Sequence, residues 1–181
     1  MVMVNGSPAP LFAVDNLNGQ QQINFQVPFE VSQPTANIAV VNNASTGPAI
    51  AVPVLAAHPG IFNYNSGGKV FGAILHADFQ LADTAHPVTA GETVLIYCTG
   101  LGAVSSRPAD GAAGSGQLTI AKPIVSIGGT NAALAFSGLA PGFVGLYQIN
   151  AQVPSALTSG NQPVVITMGS TSSNSVLVPV D

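Results

Sequence analysis

The sequence predicts an all-β protein made of tandem immunoglobulin-like β-sandwich units, the first of them incomplete. Three observations predict it. Apolar and polar residues alternate at period two in several short segments, the pattern of half-buried strands. Gly (20) and Pro (14) in 181 residues recur too often to leave room for helices of ordinary length. A segment near the N-terminus returns, nearly unchanged, close to the C-terminus.

The elements follow in order. Met1 to Val4 read as a short strand closed by an Asn5-Gly6 turn. They lack the basic start and long apolar run of a signal peptide, so the chain is expected to be a mature or excised portion of something longer. Ile23, Phe25 and Val27 alternate with Gln22, Asn24 and Gln26 in the next clear strand. A strand is expected over Val70–His76. Residues 94–98 and 164–168 are almost continuously apolar, as in strands covered on both faces. Thr99-Gly100-Leu101-Gly102 reads as a turn, and Arg107–Gly116 as a flexible loop. Tyr147, Ile149, Ala151 and Val153 alternate with Gln148, Asn150 and Gln152.

Gln22-Ile23-Asn24-Phe25-Gln26-Val27-Pro28 matches Gln148-Ile149-Asn150-Ala151-Gln152-Val153-Pro154 at an offset of 126. The offset persists to the C-terminus and places Val52-Pro53-Val54 on Val178-Pro179-Val180. Upstream, Val4-Asn5-Gly6 falls on Ile127-Gly128-Gly129, with three extra residues in the later copy near Ala140-Pro141-Gly142. Residues 57–123 have no earlier counterpart. Residues 57–181 are therefore expected to form a complete sandwich, and residues 1–56 only the second half of one, a repeat of 124–181. A half-sandwich has an uncovered apolar face and unpaired edges. It must be completed by upstream chain, by packing on residues 57–181, or by another copy of the protein. Pro53 and Pro179 fit edge strands.

Charge removes several functions. With three Lys+Arg against seven Asp+Glu, and 6% of residues charged, the chain cannot neutralise a phosphate backbone or dock on an anionic bilayer. No apolar run is long enough for a membrane-spanning helix, so membrane insertion is not expected. The single cysteine, Cys98, admits no internal disulfide and reads as a small buried hydrophobe. A weakly charged, Thr/Ser/Asn-rich chain points to an extracellular or cell-surface location.

The segments Val4–Phe12, Gln22–Pro28, Pro59-Gly60-Ile61-Phe62, Thr99–Gly102 and Gly138–Asn150 together resemble an uncharacterised C-terminal β-sandwich domain of secreted proteins from Acidobacteria of the Solibacter type. The resemblance covers nearly the whole chain, in order. It implies a secreted protein and brings no catalytic residues with it. The usual setting is the end of a long protein; met here without a large upstream region, the chain is expected to be a free-standing secreted subunit or else a cut-out fragment.

Chemistry is sparse. His76, Asp78, Asp83 and His86 lie close in sequence, but their spacing matches no metal motif, and the plainer reading is a polar loop. No Gly-x-Ser-x-Gly elbow occurs. Of the carboxylates, Asp15, Glu30, Asp110 and Asp181 fall at turns, loops or the terminus. No enzyme, metal or cofactor is expected. Asn63, Tyr64 and Asn65 beside a Gly67-Gly68 turn are the best candidates for contact with a polysaccharide.

The uncharged amide faces at Gln22, Asn24 and Gln26 and at Gln148, Asn150 and Gln152, with the N-terminal Met1, Val2, Met3 and Val4, are the candidate subunit contacts. Charge would be costly to desolvate there. The expected function is a secreted structural protein that self-assembles into a filament or tube by half-domain complementation between subunits. The alternative is a C-terminal anchoring or glycan-binding module of a larger cell-surface protein.

Overall fold

The computed structural model describes residues 1–31 and 34–181. Among the described residues there is no helix. The strands are β1 (Val2–Val4), β2 (Ser7–Ala9), β3 (Leu11–Leu17), β4 (Gln20–Phe25), β5 (Thr35–Asn42), β6 (Ser45–Thr46), β7 (Ile50–Pro53), β8 (Gly60–Ile61), β9 (Asn63–Ser66), β10 (Lys69–Gly72), β11 (Ile74–Leu75), β12 (Thr93–Thr99), β13 (Ile124–Ile127), β14 (Thr130–Asn131), β15 (Ala133–Leu139), β16 (Tyr147–Gln152), β17 (Gly160–Met168), β18 (Thr171–Ser172) and β19 (Val176–Val180). The chain is all-β, as the period-two pattern predicts.

Strands β8 to β19 form two sheets. One runs β14-β13-β17-β19-β10-β9, with β18 on β17; the other runs β11-β12-β16-β15, with β8 on β12. Alternation along each strand sends one set of side chains inward. Ile96, Ile149 and Leu139 from one sheet meet Ile127, Ile166 and Val178 from the other in the larger core. Strands β1 to β7 form a sheet in which β1 lies between β2 and β5, with β6 and β7 also on β5, and a separate β3–β4 hairpin. Their core is small: Val2, Val4, Ala9 and Ala36 are buried, with Ile23, Phe25, Ile38 and Val54 packed against them.

The offsets that relate the two sequence copies also relate their ladders. Val2, Met3 and Val4 pair with Val40, Ala39 and Ile38, as Val125, Ser126 and Ile127 pair with Ile166, Val165 and Val164. Ile38 pairs with Ile50 and Thr35 with Pro53, as Val164 pairs with Val176 and Asn161 with Pro179. Even the irregularity recurs: the ladder slips between Leu11 and Ala13 in one copy and between Leu134 and Phe136 in the other. The three extra residues of the later copy lie in its β15–β16 loop. The β3–β4 connection is the two-residue turn Asn18-Gly19, both with positive φ, the pattern of a tight hairpin.

Four expectations are corrected. The segment Val70–His76 is not one strand: β10 pairs with β9 and β19, whereas β11 pairs with β12 in the opposite sheet. The chain changes sheets at Ala73, and a Cβ on Gly72 would meet Val176 Cγ2 at 2.8 Å. Strand β19 is not an edge, since β17 and β10 flank it. Pro179 is tolerated because its carbonyl, not the missing N–H, is used: Val88 N–H donates to it at 2.9 Å. Asp15 lies within β3, opposite Gln22. Arg107, Asp110 and Gly111, in the segment expected to be a flexible loop, are bonded to the residues that follow β4, as described next.

Candidate interaction surface

The two copies differ at their edges. In the later copy β12 runs antiparallel along β16, from Thr93 opposite Gln152 to Cys98 opposite Tyr147, and Phe71 of β10 pairs in parallel with Leu177 of β19. In the earlier copy the corresponding edges of β4 and β7 carry no partner strand among the described residues. Residues matched in register therefore meet different surroundings. Ile166, Val176, Val178 and Val153 are 0%, 1%, 1% and 1% exposed; their counterparts Val40, Ile50, Val52 and Val27 are 44%, 61%, 37% and 54% exposed. Val153 is sealed by backbone bonds to Gly91 and Glu92, which precede β12.

The open side of the earlier copy borders a cleft of about 1380 Å³. Ile23, Phe25, Ile38 and Val52 line one wall; Phe62, Val104, Phe143 and Tyr147 line the other. A bracket of bonds holds the walls together. Gly111 N–H donates to Gln26 Oε1 (2.8 Å), and Phe29 N–H donates to Asp110 Oδ1 (3.0 Å). Arg107 donates to the Phe29 carbonyl (3.0 Å) and lies 3.2 Å from Glu30. The segment between β7 and β8 lies close to the 99–102 turn: His58 N–H donates to the Gly100 carbonyl, and a Cβ on Gly100, whose φ is +73°, would collide with the His58 carbonyl.

The predicted contact residues fall into three groups. Gln22 and Asn24 are exposed, and Gln22 Nε2 donates to Asn24 Oδ1 at 2.8 Å; Gln148 and Asn150 repeat the bond at 2.7 Å and are half-buried. Gln152 is exposed and donates to the Gly91 carbonyl. Gln26 is buried, its amide oxygen taken by Gly111, so it belongs to the bracket rather than to a free face. Val2 and Val4 are buried and Met3 half-buried; both edges of β1 are paired, so the segment offers no free strand edge. Met1 is exposed, its ammonium donating to the Val41 carbonyl.

The predicted glycan residues lie on the β9–β10 hairpin. The Tyr64 ring stacks on Phe71 with centroids 5.8 Å apart, and its hydroxyl is buried without a partner. It is therefore not an open platform for a sugar. Asn63 donates to the Ile61 carbonyl, and Asn65 is exposed.

Sequence reasoning passed over Val27, Val40, Ile50 and Val52, although the offset of 126 places each on a core residue of the later copy.

Several ionisable residues are held by local hydrogen bonds. His76 Nδ1 lies 2.5 Å from Glu92 Oε1, and its Nε2 faces the His86 carbonyl. Burial opposes the charged imidazole, but the Glu92 and His86 hydrogen bonds and the Glu92 and Asp78 charges outweigh it and raise its pKa. Asp83 accepts from the His86 and Ala85 amides; the His86 amide chiefly lowers its pKa, with the Ala85 amide and the His86 ring adding to it against an opposing desolvation. Burial pushes the Cys98 thiol up to about 12, which leaves it protonated and unreactive. Burial also pushes Tyr147 to about 12, and its hydroxyl donates to the Gly102 carbonyl. Among the described residues, no three His, Cys, Asp or Glu converge to hold a metal ion, and no helix is long and apolar enough to cross a membrane.

No protein-family model matches the chain, and no curated protein matches it significantly.

Proposed function

We propose that this chain is a non-catalytic structural module of an extracellular protein assembly, and that it joins a neighbour by having its N-terminal half-unit completed. One observation carries the reading: Val27, Val40, Ile50 and Val52 are exposed where their register-matched counterparts form a core. Full burial of such a side chain is worth up to about 1.5–3 kcal/mol, so covering several of them is a substantial driving force. Residues 1–56 contain Asp15 and Glu30 as their only charged side chains, so little charge has to be desolvated. The low overall charge and the resemblance to secreted β-sandwich domains support the extracellular setting.

The assembly can be a homopolymer or a mixed structure in which this chain is one module. The count of half-units favours the second. Residues 1–56 and 124–181 are both acceptor halves, and residues 57–123 are the one donor half. Each added copy brings two acceptors and one donor, so half-domain exchange among copies always leaves acceptors unfilled. A polysaccharide-binding role is less favoured, because Tyr64 is packed against Phe71.

Hydrogen exchange on the purified chain, with mass from light scattering, tests the reading. In single chains the β4 and β7 amides are expected to exchange much faster than those of β16 and β19. A monodisperse single chain with both sets equally protected overturns it, since the half-unit would then need no neighbour.

A further inference from the structure

We propose that the cleft beside β4 takes an extended, uncharged strand of a partner polypeptide, added antiparallel to β4 as β12 is added to β16, and that the partner is not a copy of this chain. The inference rests on the reading above and specifies the occupant.

The later copy shows what covers this face. There Val94, Ile96 and Cys98 point inward opposite Ala151, Ile149 and Tyr147. The offset places Phe25, Ile23 and Gln21 at those three positions. The free edge of β4 retains its backbone groups and bears none of the lysines, prolines or bulges that normally block pairing. A cleft of about 1380 Å³ exceeds the ~300–1,000 Å³ typical of small-molecule sites and suits a length of polypeptide. Strand addition takes affinity from main-chain bonds and specificity from alternate side chains.

The wall residues predict the sequence of the guest. Phe25 is much larger than Ala151, so the guest residue opposite Phe25 must be smaller than Val94: Ala or Gly conserves the summed volume. Ile23 equals Ile149 in kind and calls for a branched aliphatic residue such as Ile96. Gln21 replaces Tyr147, whose hydroxyl is bonded to Gly102, so a small polar guest residue is favoured opposite Gln21. No strand of this pattern is left unpaired among the described residues: β12 is taken by β16, β11 and β8. The free edges of β4 and β7 carry other patterns, Gln21-Ile23-Phe25 and Ile50-Val52, so a second copy has no strand of the required pattern to give.

The test uses the full chain and fluorescent peptides of residues 91–101, carrying Cys98→Ser and terminal lysines for solubility. One has Val94, one Val94→Ala, and one a scrambled order. The Ala peptide is expected to bind saturably and about tenfold more tightly than the Val peptide, the scale of relieved overpacking. The scrambled peptide is expected not to bind. Ile23→Lys in the chain should abolish binding while β1 and β5 amide protection stays unchanged, which separates a blocked groove from a failed fold of the half-unit in which Ile23 packs. Binding that ignores peptide order, or survives Ile23→Lys, overturns the proposal. If the chain self-associates and Ile23→Lys disperses it, a second copy fills the groove: the partner assignment fails, while the completed half-unit stands.

Discussion

Residues 1–56 and 124–181 share a strand order, a ladder register and a bulge at the matching position, yet one copy contributes to a closed core and the other leaves an open face. What separates them is residues 57–123, which cover the later copy and not the earlier. Local sequence is enough to set strands, turns and pairing within a half-unit. Burial at its edges depends on a second half. A Val in register with Ile166 is not a core residue until something packs on it.

The largest expected effect contrasts matched core positions. Ile166→Ala should cost about 2–5 kcal/mol of stability, the usual range for a buried aliphatic truncation. Val40→Ala, in the equivalent place, should stay within about 0.5 kcal/mol, as exposed substitutions do. Urea unfolding of both variants measures this, and equal losses would erase the distinction between the copies.

The bracket comes next. Gln26→Ala leaves the Gly111 N–H without its acceptor, at about 1–3 kcal/mol if no water replaces it. Faster exchange of the Gly111 amide is the readout. Its repeat counterpart Gln152→Ala removes an exposed bond to the Gly91 carbonyl and should cost less.

A smaller effect depends on pH and belongs to one copy's surroundings. His76 is raised in the folded state, so the fold holds that proton more tightly than the unfolded chain does. Its contribution is complete below about pH 6.5, the ordinary histidine value, and is lost as pH rises through the raised one. Residues 1–56 contain no histidine. Urea midpoints followed by β12 exchange should fall across this window, and His76→Gln should flatten the fall. The weakest test is Arg107→Ala at the exposed Glu30 pair, expected within about 1 kcal/mol for the ion pair itself. A larger change in cleft-wall exchange would show that the Phe29 carbonyl bond dominates.

Much of the fold is legible in the residues. The alternation of Ile23 and Phe25 with Gln22 and Asn24 marks β4, and the apolar run 94–98 marks β12, because side-chain direction follows from backbone period alone. The candidate site is less legible. Val2 and Val4 look like a free terminal strand, but β2 and β5 take both of its edges. Gln26 looks like one rung of an exposed amide face, but a loop 85 positions away along the chain buries it. Arg107–Gly116 looks flexible because its partners are distant in sequence. Tyr64 looks like an exposed aromatic because the packing of Phe71 beneath it cannot be read from a hairpin's residues.

By itself, the sequence determined the all-β class, the positions of several of the longer strands and the kinship of the two copies, all of which depend on local period, turn chemistry and self-similarity. Only the tertiary structure decided which copy is covered, where the bracket closes and which apolar residues face open space. Those depend on contacts between segments far apart in the chain, and the burial of a side chain is a property of its neighbours in space.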